Sequence, residues 1–198
     1  MRSQALTDMQ ASAGRALSAG QLVVLFGHCD GELDDARTLA RQMGTWLEPL
    51  GPFASGGLSR SATPGLAAVA ACRTGAVGVD VECIHATVMR RDEAESFMHP
   101  AESVSYLLAG GSGAALAVWT RKEAVLKAFG TGLAVSPTSL QVGLHDTTWA
   151  ELVHPLLGTA HVMSLHAPTG YVAAVAARTR PASPICLIDA SPVLLRAR

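Results

Sequence analysis

Apolar runs of strand length and stretches with helical spacing alternate along the first half of the chain. Residues 21–26 form a short apolar run that ends at a turn rich in Gly and Asp, and a helical spacing follows over 34–47. Residues 66–72 and 76–82 are apolar almost throughout and flank a short connection that contains a glycine, which predicts two neighbouring antiparallel strands. Because these runs have little polar surface, we expect a sheet that is covered on at least one face.

The second half is predicted to be helical first and extended afterwards. Residues 88–98 and 101–109 are compatible with two short helices separated by His99-Pro100. The strongest helical pattern covers 114–129 and ends at the glycines that follow. Three strands are then predicted, at 139–144, 160–166 and 170–177. This order of strands and helices is typical of an α+β fold.

Composition indicates a globular chain with a sizeable core. The 198 residues are 49% hydrophobic and only 16% charged, so the chain fits one compact unit or two small halves that share a core. The formal net charge of -1 provides no general attraction for nucleic acid or an anionic membrane. We divide the chain into a leader that we expect to be mobile, a shortened N-terminal α+β half, a C-terminal α+β half and an irregular tail, at residues 1–19, 20–82, 83–180 and 181–198.

The cysteines and the chain start exclude several classes of protein. The four cysteines are far apart and form no CxxC pair, which argues against a structural zinc site and a redox motif and favours small buried hydrophobic residues. The first residues lack the apolar core of a signal peptide, and no later run approaches the roughly 20 apolar residues of a membrane span. We therefore expect a cytoplasmic protein that binds neither nucleic acid nor membranes.

Two acidic residues share one face of a predicted strand. Asp80 and Glu82 alternate with valines in the run 76–82, so an extended backbone places both carboxylates side by side. The two negative charges repel each other, and a divalent cation would relieve the repulsion. Each acid taken singly also fits the end of a strand or a solvent-exposed position.

A third acid with nearby lysines lies on the predicted helix. Glu123 and Lys127 are one turn apart, Trp119 is on the same face, and Lys122 is adjacent. Together with the acids of the strand, this set suits a Mg²⁺ ion that receives phosphate. A Glu and Lys pair at this spacing is also ordinary helix decoration, so residue types alone leave both interpretations open.

An arginine between two serines provides a further candidate. Ser59-Arg60-Ser61 falls in a segment, 50–65, that is rich in Gly, Pro and Ser and is predicted to be a loop. A guanidinium flanked by hydroxyls can hold a phosphate group. A solvated surface loop is the alternative interpretation.

Two motifs of the sequence resemble the signature motifs of the 4'-phosphopantetheinyl transferases. VGVDVE at 77–82 is similar to (V/I)G(V/I)D(V/I)E, and WTRKEAVLKAFGTGL at 119–133 is similar to (F/W)(S/T)xKEAxxKAxGxGL. The resemblance covers roughly residues 55–180 and is closest to the surfactin-type and actinobacterial secondary-metabolism branch. It implies the fold of that family, with two similar α+β halves related by a pseudo-two-fold axis and an active site at their interface.

The resemblance also implies a reaction and the residues that perform it. An enzyme of the holo-[acyl-carrier-protein] synthase type transfers the 4'-phosphopantetheine arm from coenzyme A to a serine of an apo acyl or peptidyl carrier protein, in polyketide, nonribosomal-peptide or fatty-acid biosynthesis, and releases 3',5'-ADP. The implied ligands of Mg²⁺ are Asp80, Glu82 and Glu123. The implied catalytic residues are Glu102, Glu123 and Lys127, with Glu102 as the base that helps to deprotonate the serine. The implied contacts to coenzyme A come from Ser59, Arg60, Ser61, Trp119, Lys122 and Lys127.

Two departures from the family pattern motivate a second hypothesis. Arg60 stands where the family has a histidine between two serines, and no basic stretch similar to Lys-Gly-Lys-Pro precedes it. The second hypothesis is a catalytically degenerate homologue that binds carrier protein or coenzyme A as a regulator or scaffold. Retention of three acids and two lysines argues against this, because a degenerate protein has no physical reason to keep clustered like charges.

A third hypothesis is another Mg²⁺-dependent phosphate enzyme with an unrelated fold, and the absence of a GxxxxGK[ST] loop removes its commonest version. By analogy with the longer members of the family, the length favours a monomer that builds the site between its own halves.

Overall fold

The chain forms two stacked β-sheets with helices on both outer faces, as seen in a computed structural model that describes residues 4–87, 89–109, 112–144 and 146–194. The helices are α1 Gln4–Ser18, α2 Leu33–Leu47, α3 Arg91–Phe97, α4 Pro100–Ala109, α5 Ser112–Phe129 and α6 Ser191–Leu194. The strands are β1 Gln21–His28, β2 Leu58–Thr63, β3 Leu66–Ala71, β4 Val77–Cys83, β5 Ala150–His154, β6 Gly158–Leu165, β7 Tyr171–Ala177 and β8 Ala182–Asp189. The predicted α+β class is confirmed.

The two sheets have the strand orders β2-β3-β1-β8 and β4-β7-β6-β5. All pairings are antiparallel except that of β1 with β8. Apolar side chains such as Val24, Val79 and Val175 fill the space between the sheets. Helices α1 and α2 pack on the outer face of the first sheet, and α5 packs on the outer face of the second. None of the helices in the described part of the chain is long and apolar enough to cross a membrane.

Both chain ends differ from the leader and tail that the sequence predicts. Within 1–19, α1 packs against the first sheet because Met9, Ala13 and Leu17 recur at helical spacing and are buried. Within 181–198, strand β8 pairs with β1. Strand β8 tolerates Pro184 because it is an edge strand and its pairing with β1 is irregular at this point. Residues 1–3 and 195–198 of these segments lie outside the described residues.

The predicted hairpin of residues 66–72 and 76–82 is wrong. Strand β3 pairs with β2 and β1, whereas β4 pairs with β7 in the other sheet, and the connection between β3 and β4 carries the chain from one sheet to the other. Both strands are apolar because they face each other across the interior of the stack. The chain therefore passes from the first sheet to the second between β3 and β4.

The strand predicted at 139–144 is also wrong, because side chains and not a neighbouring strand bind its backbone. The carbonyl of Val142 accepts hydrogen bonds from Arg121, at 2.8 Å from Nε. The amides of Val142 and Gly143 donate to Oε1 of Glu102, the latter at 3.0 Å. The edge strand of the second sheet is instead β5, which lies further along the chain and pairs with β6.

The three predicted helices of the second half correspond to α3, α4 and α5, although residue 88 of the first prediction lies outside the described residues. Helix α5 lies against β4 at Gly78 with no room for a side chain. A Cβ built on Gly78 would overlap the carbonyl oxygen of Ala124 and lie 2.6 Å from the amide nitrogen of Ala128. Both are backbone atoms of α5, so the rotation of a side chain cannot relieve the overlap. Gly78 therefore sets the distance between the strand of Asp80 and the helix of Glu123.

We predict that Gly78→Ala lowers the free energy of unfolding by about 1–3 kcal/mol, because the added methyl group forces α5 away from β4. Urea unfolding measures this change. Gly113→Ala, in the first turns of α5, is the matched control, because a Cβ there meets nothing within 4 Å. The control should keep or gain stability, by about 0.5–1 kcal/mol. Equal stability of Gly78→Ala and the wild type would contradict the close packing.

Candidate functional site

A pocket of about 340 Å³ lies between the N-terminal elements and the second sheet. One wall comes from α2 and β2, and the other comes from β4 and α5. The lining residues are Arg37, Ala40, Arg41, Arg60, Ser61, Ala62, Asp80, Glu82 and Lys127. Carboxylates therefore lie on one side of the pocket and guanidinium groups on the other, which suits a polyanionic ligand together with a cation.

Asp80 is the most deeply buried acid of this pocket, with 4% of its surface exposed. Its Oδ1 accepts hydrogen bonds from Nζ of Lys127 at 2.7 Å and from Oγ of Ser61 at 2.8 Å. In the described part of the chain, its Oδ2 has no hydrogen-bond partner. Burial raises the pKa of Asp80 although Lys127 opposes the shift. A buried acceptor left without a donor costs about 1–3 kcal/mol, so Oδ2 is the first candidate for a ligand contact.

Glu82 and Glu123 are close enough to Asp80 for their charges to interact. Burial, and then the charge of Asp80, raise the pKa of Glu82 to about 7. Burial, and then Asp80, also raise the pKa of Glu123. Glu82 lines the pocket, whereas Glu123 is half-buried beside it and outside the lining. All three carboxylates therefore resist ionisation, as expected for clustered acids without a cation.

The predicted three-acid metal site is not a preformed cage. Among the residues that the structure describes, no group of three or more His, Cys, Asp and Glu side chains is arranged to hold a metal ion. Mg²⁺ is commonly bound through one or two carboxylates, with water and phosphate as its other ligands. The unpartnered Oδ2 of Asp80 and the neighbouring Glu82 fit such a partial site.

Arg37 and Arg41 belong to the pocket although they were not predicted from the sequence. They lie one turn apart on α2, beside its buried face, and both side chains are exposed. Arg37 is paired with Asp34 at 3.1 Å, but both side chains are largely exposed and such pairs are weak. Their spacing in the predicted helix 34–47 is the sequence signal that would have found them.

Arg60 lies in strand β2 and not in the predicted loop, since β2 pairs with β3 along its whole length. Its Nη2 is 3.3 Å from Oε1 of Glu48. The guanidinium crosses α2 at Gly44, where a Cβ would overlap the Nε atom of Arg60 and lie 2.7 Å from its Cζ. A glycine inside a helix costs about 1 kcal/mol relative to alanine. A glycine inside the predicted helix is therefore a second sequence signal for this site. Gly44 has no side chain, so the guanidinium of Arg60 can lie against the helix backbone.

Ser59 and Ser61 turn towards β4. The amide of Val79 donates to Oγ of Ser59 at 3.1 Å, and Ser61 bonds Asp80 as described above. Ser61 lines the pocket, whereas Ser59 is outside the lining. Of the two serines predicted to contact a ligand, only Ser61 is therefore exposed to the pocket.

The structure does not bring Lys122 and Glu102 to the pocket. Lys122 is 0% exposed, and its Nζ donates to Oε2 of Glu102 at 2.8 Å and to the carbonyls of Pro137 and Leu140. Glu102 is also buried, and its oxygens accept from three backbone amides besides. This ion pair fastens the 137–143 segment to α4 and α5. Its burial argues against contact of Lys122 with phosphate and against proton transfer to Glu102.

Trp119 packs in the core of the C-terminal half and not in the pocket. Its ring meets that of Phe97 edge to face, with 5.1 Å between the centroids. Lys127, in contrast, reaches from α5 to Asp80, Ser61 and the carbonyl of Val79. Of the predicted site residues, the pocket thus brings together Arg60, Ser61, Asp80, Glu82 and Lys127, with Glu123 beside them.

A comparison with known families agrees with the motifs. The family model described as the 4'-phosphopantetheinyl transferase superfamily matches residues 76–176, just over half of the chain. The match begins just before β4 and ends in β7, so it includes the acids of the site and Lys127 and leaves out α2 and β2. No curated protein shows significant similarity to the chain.

We predict that Glu82→Gln removes a pH-dependent loss of stability from the metal-free protein. Because the pKa of Glu82 is raised to about 7 in the fold, the folded state binds more protons than the unfolded state between about pH 4.5 and pH 7. The stability of the wild type therefore falls as the pH rises through this window. At about pH 8 the variant should be more stable by on the order of 1–3 kcal/mol, and at about pH 4.5 the two should be equal. Urea unfolding in EDTA measures both differences, and a constant difference across the window would contradict the assignment.

Proposed function

This chain belongs to the 4'-phosphopantetheinyl transferase superfamily, and we propose that it performs the Mg²⁺-dependent transfer of the 4'-phosphopantetheine arm from coenzyme A to a serine of an apo acyl or peptidyl carrier protein. The products are the holo carrier protein and 3',5'-ADP. One observation carries the proposal: the segment that matches the family contributes the carboxylates of a pocket whose opposite wall carries three arginines. Phosphoryl transfer requires this combination, because its catalysis consists mainly of positioning and the neutralisation of charge.

Asp80 and Glu82 are the residues that would hold Mg²⁺, and Glu123 lies beside them. Bound there, the ion would act as a Lewis acid on the pyrophosphate of coenzyme A. Oδ2 of Asp80 supports this assignment, because it is a buried oxygen without a partner among the described residues. Lys127 neutralises part of the negative charge while it holds the other oxygen of Asp80 at 2.7 Å.

Arg37, Arg41 and Arg60 are proposed to bind the phosphates of coenzyme A. Their guanidinium groups suit phosphate oxygens, and they replace the basic stretch that the N-terminal half lacks. This half and the C-terminal half then share the substrate between them, with an active site at their interface, as the family resemblance implies. A single chain supplies both walls, which supports a monomeric enzyme.

In the transfer, a bond forms between the serine oxygen and the phosphorus next to the pantetheine, and the bond from that phosphorus to 3',5'-ADP breaks. The serine proton must pass to a base. Glu102 is a poor candidate because Lys122 and three amides occupy its oxygens. Glu123 lies beside the pocket and is not needed for the one or two carboxylates through which Mg²⁺ is commonly bound, so we assign proton acceptance to Glu123.

The decisive experiment incubates the protein with coenzyme A, Mg²⁺ and a panel of apo acyl and peptidyl carrier proteins, and measures the added arm by intact mass. We predict that the wild type modifies at least one carrier. Asp80→Asn should lower the rate by about two orders of magnitude or more, because the metal contact is worth several kcal/mol to the transition state. Circular dichroism checks that the variant is folded.

Two results would contradict the proposal in different ways. Binding of coenzyme A without modification of any carrier protein would favour the degenerate homologue that acts as a regulator or scaffold. Equal rates for the wild type and Asp80→Asn would refute the metal assignment while leaving the transfer activity in place.

We also predict that Gly44→Ala weakens the binding of coenzyme A by about 10-fold, because the added Cβ displaces the guanidinium of Arg60 and removes one charge-assisted hydrogen bond to phosphate. Isothermal titration with coenzyme A measures the dissociation constant. Gly14→Ala is the matched control in helix α1, where a Cβ would make an ordinary 3.8 Å contact with Leu50. Unchanged affinity in Gly44→Ala would contradict the displacement of Arg60 from the phosphate.

A further inference from the structure

Three hydroxyl side chains of β2 bind the backbone of β4. The amides of Val79, Val81 and Cys83 donate to the hydroxyl oxygens of Ser59, Ser61 and Thr63 at 3.1, 3.4 and 3.1 Å. Strands β2 and β4 are edge strands of different sheets, so side chains replace the backbone ladder between them. We call this set of three side chains the hydroxyl ladder.

Two members of the hydroxyl ladder also bind the acids of the site. Oγ of Ser61 is 2.8 Å from Oδ1 of Asp80, and Oγ1 of Thr63 is 3.4 Å from Oε2 of Glu82. Ser59 differs, since its hydroxyl bonds the amide of Val79 and neither carboxylate in the described part of the chain. All three hydroxyls therefore bind an amide of β4, but only those of Ser61 and Thr63 also bind a carboxylate.

The direction of each O–H bond follows from the donors around it. A hydroxyl has one proton and two lone pairs. The lone pairs of Ser61 accept from the amide of Val81 and from Nζ of Lys127, at 3.4 and 3.2 Å, so its proton is left for Asp80. Thr63 accepts one bond, from the amide of Cys83, and its hydroxyl donates to Glu82.

We propose that Ser61 and Thr63 are positioning residues that aim Asp80 and Glu82 at the divalent cation. This inference rests on the proposed function, in which these carboxylates bind Mg²⁺. Ser61 and Lys127 together occupy Oδ1 of Asp80, which leaves Oδ2 for the ligand. The N-terminal half thus decides how the acids of the C-terminal motif are presented, and the hydroxyl of Ser61 holds a carboxylate of this protein in place of a phosphate of the substrate.

The test compares Ser61→Ala and Thr63→Val with Ser59→Ala, the matched control. Each variant loses one backbone bond of the hydroxyl ladder, but only the first two lose a bond to a carboxylate, and Ser61→Ala also loses the bond from Lys127. The affinity for Mn²⁺, as a probe of the Mg²⁺ site, is measured on the coenzyme-free protein by isothermal titration. We expect Ser61→Ala and Thr63→Val to weaken Mn²⁺ binding by about 10-fold or more, the usual effect of removing a group that orients a metal ligand. Ser59→Ala should stay within about 2-fold of the wild type.

Conservative variants separate positioning from simple loss of stability. Ser61→Thr and Thr63→Ser keep the hydroxyl and should retain Mn²⁺ affinity close to that of the wild type. Urea unfolding of Ser59→Ala measures the loss from one backbone bond, and Ser61→Ala should lose more stability, because it also loses its bonds to Asp80 and Lys127; Ser61→Thr, which keeps the hydroxyl, then separates this loss from the effect on Mn²⁺. Thr63→Val keeps the β-branched shape of threonine and removes only the hydroxyl, so it keeps the test open if Ser61→Ala does not fold.

Three outcomes would overturn the inference. If the wild type binds Mn²⁺ and both variants bind it equally well, the positioning role is wrong and the proposed function stands. If Ser59→Ala weakens Mn²⁺ binding as much as Ser61→Ala does, the hydroxyl ladder acts only through the docking of β2 on β4. If the wild type binds no Mn²⁺ with or without coenzyme A, the metal assignment fails together with this inference.

Discussion

The site depends on the close approach of α5 to β4 at Gly78. This approach lets Nζ of Lys127 come within 2.7 Å of Asp80 and within 3.2 Å of the carbonyl of Val79. Without that cation, Asp80 and its acidic neighbours would face one another with no compensation, and burial already raises the pKa of Asp80. The glycine of the first motif and the lysine of the second therefore act together: one removes the steric barrier and the other offsets part of the electrostatic cost.

Two buried carboxylates of this protein, Glu102 and Asp80, differ in how many of their oxygens have hydrogen-bond partners. Glu102 accepts from Lys122 and three backbone amides, so its oxygens are fully used and it fastens one segment to two helices. Asp80 is equally buried but keeps Oδ2 without a partner in the described structure. A buried unpaired acceptor is unfavourable in the folded protein alone and becomes favourable when a ligand supplies the missing contact. This difference is why we propose Asp80, and not Glu102, as a ligand of the cation.

Sequence periodicity predicted the parts of the site that local geometry determines. Alternation along a strand predicts Asp80 and Glu82 on one face, and helical spacing predicts Glu123 and Lys127 one turn apart on the same side of a helix. The same geometry rotates Lys122 by about 100° from Glu123, towards the core, although the motif resemblance assigned it to phosphate. The placement of β3 and β4 in different sheets cannot be predicted from the local pattern. Two apolar runs joined by a short connection can either pair in one sheet or face each other from two. The arginines of α2 are predictable from their spacing of four residues, which places both on one side of a helix although they form no contiguous basic stretch.

The change of residues 59–61 from a predicted loop to strand β2 alters what the Ser-Arg-Ser tripeptide does. In a loop, all three side chains could turn to one phosphate group. In a strand, successive side chains point to opposite faces, so Arg60 lies against α2 while Ser59 and Ser61 turn to β4. One strand of the N-terminal half thereby serves both walls of the pocket, the guanidinium groups on one side and the carboxylates on the other. A residue exchange that shifts β2 should therefore disturb anion binding and cation binding together, although the segment that matches the family begins only at residue 76.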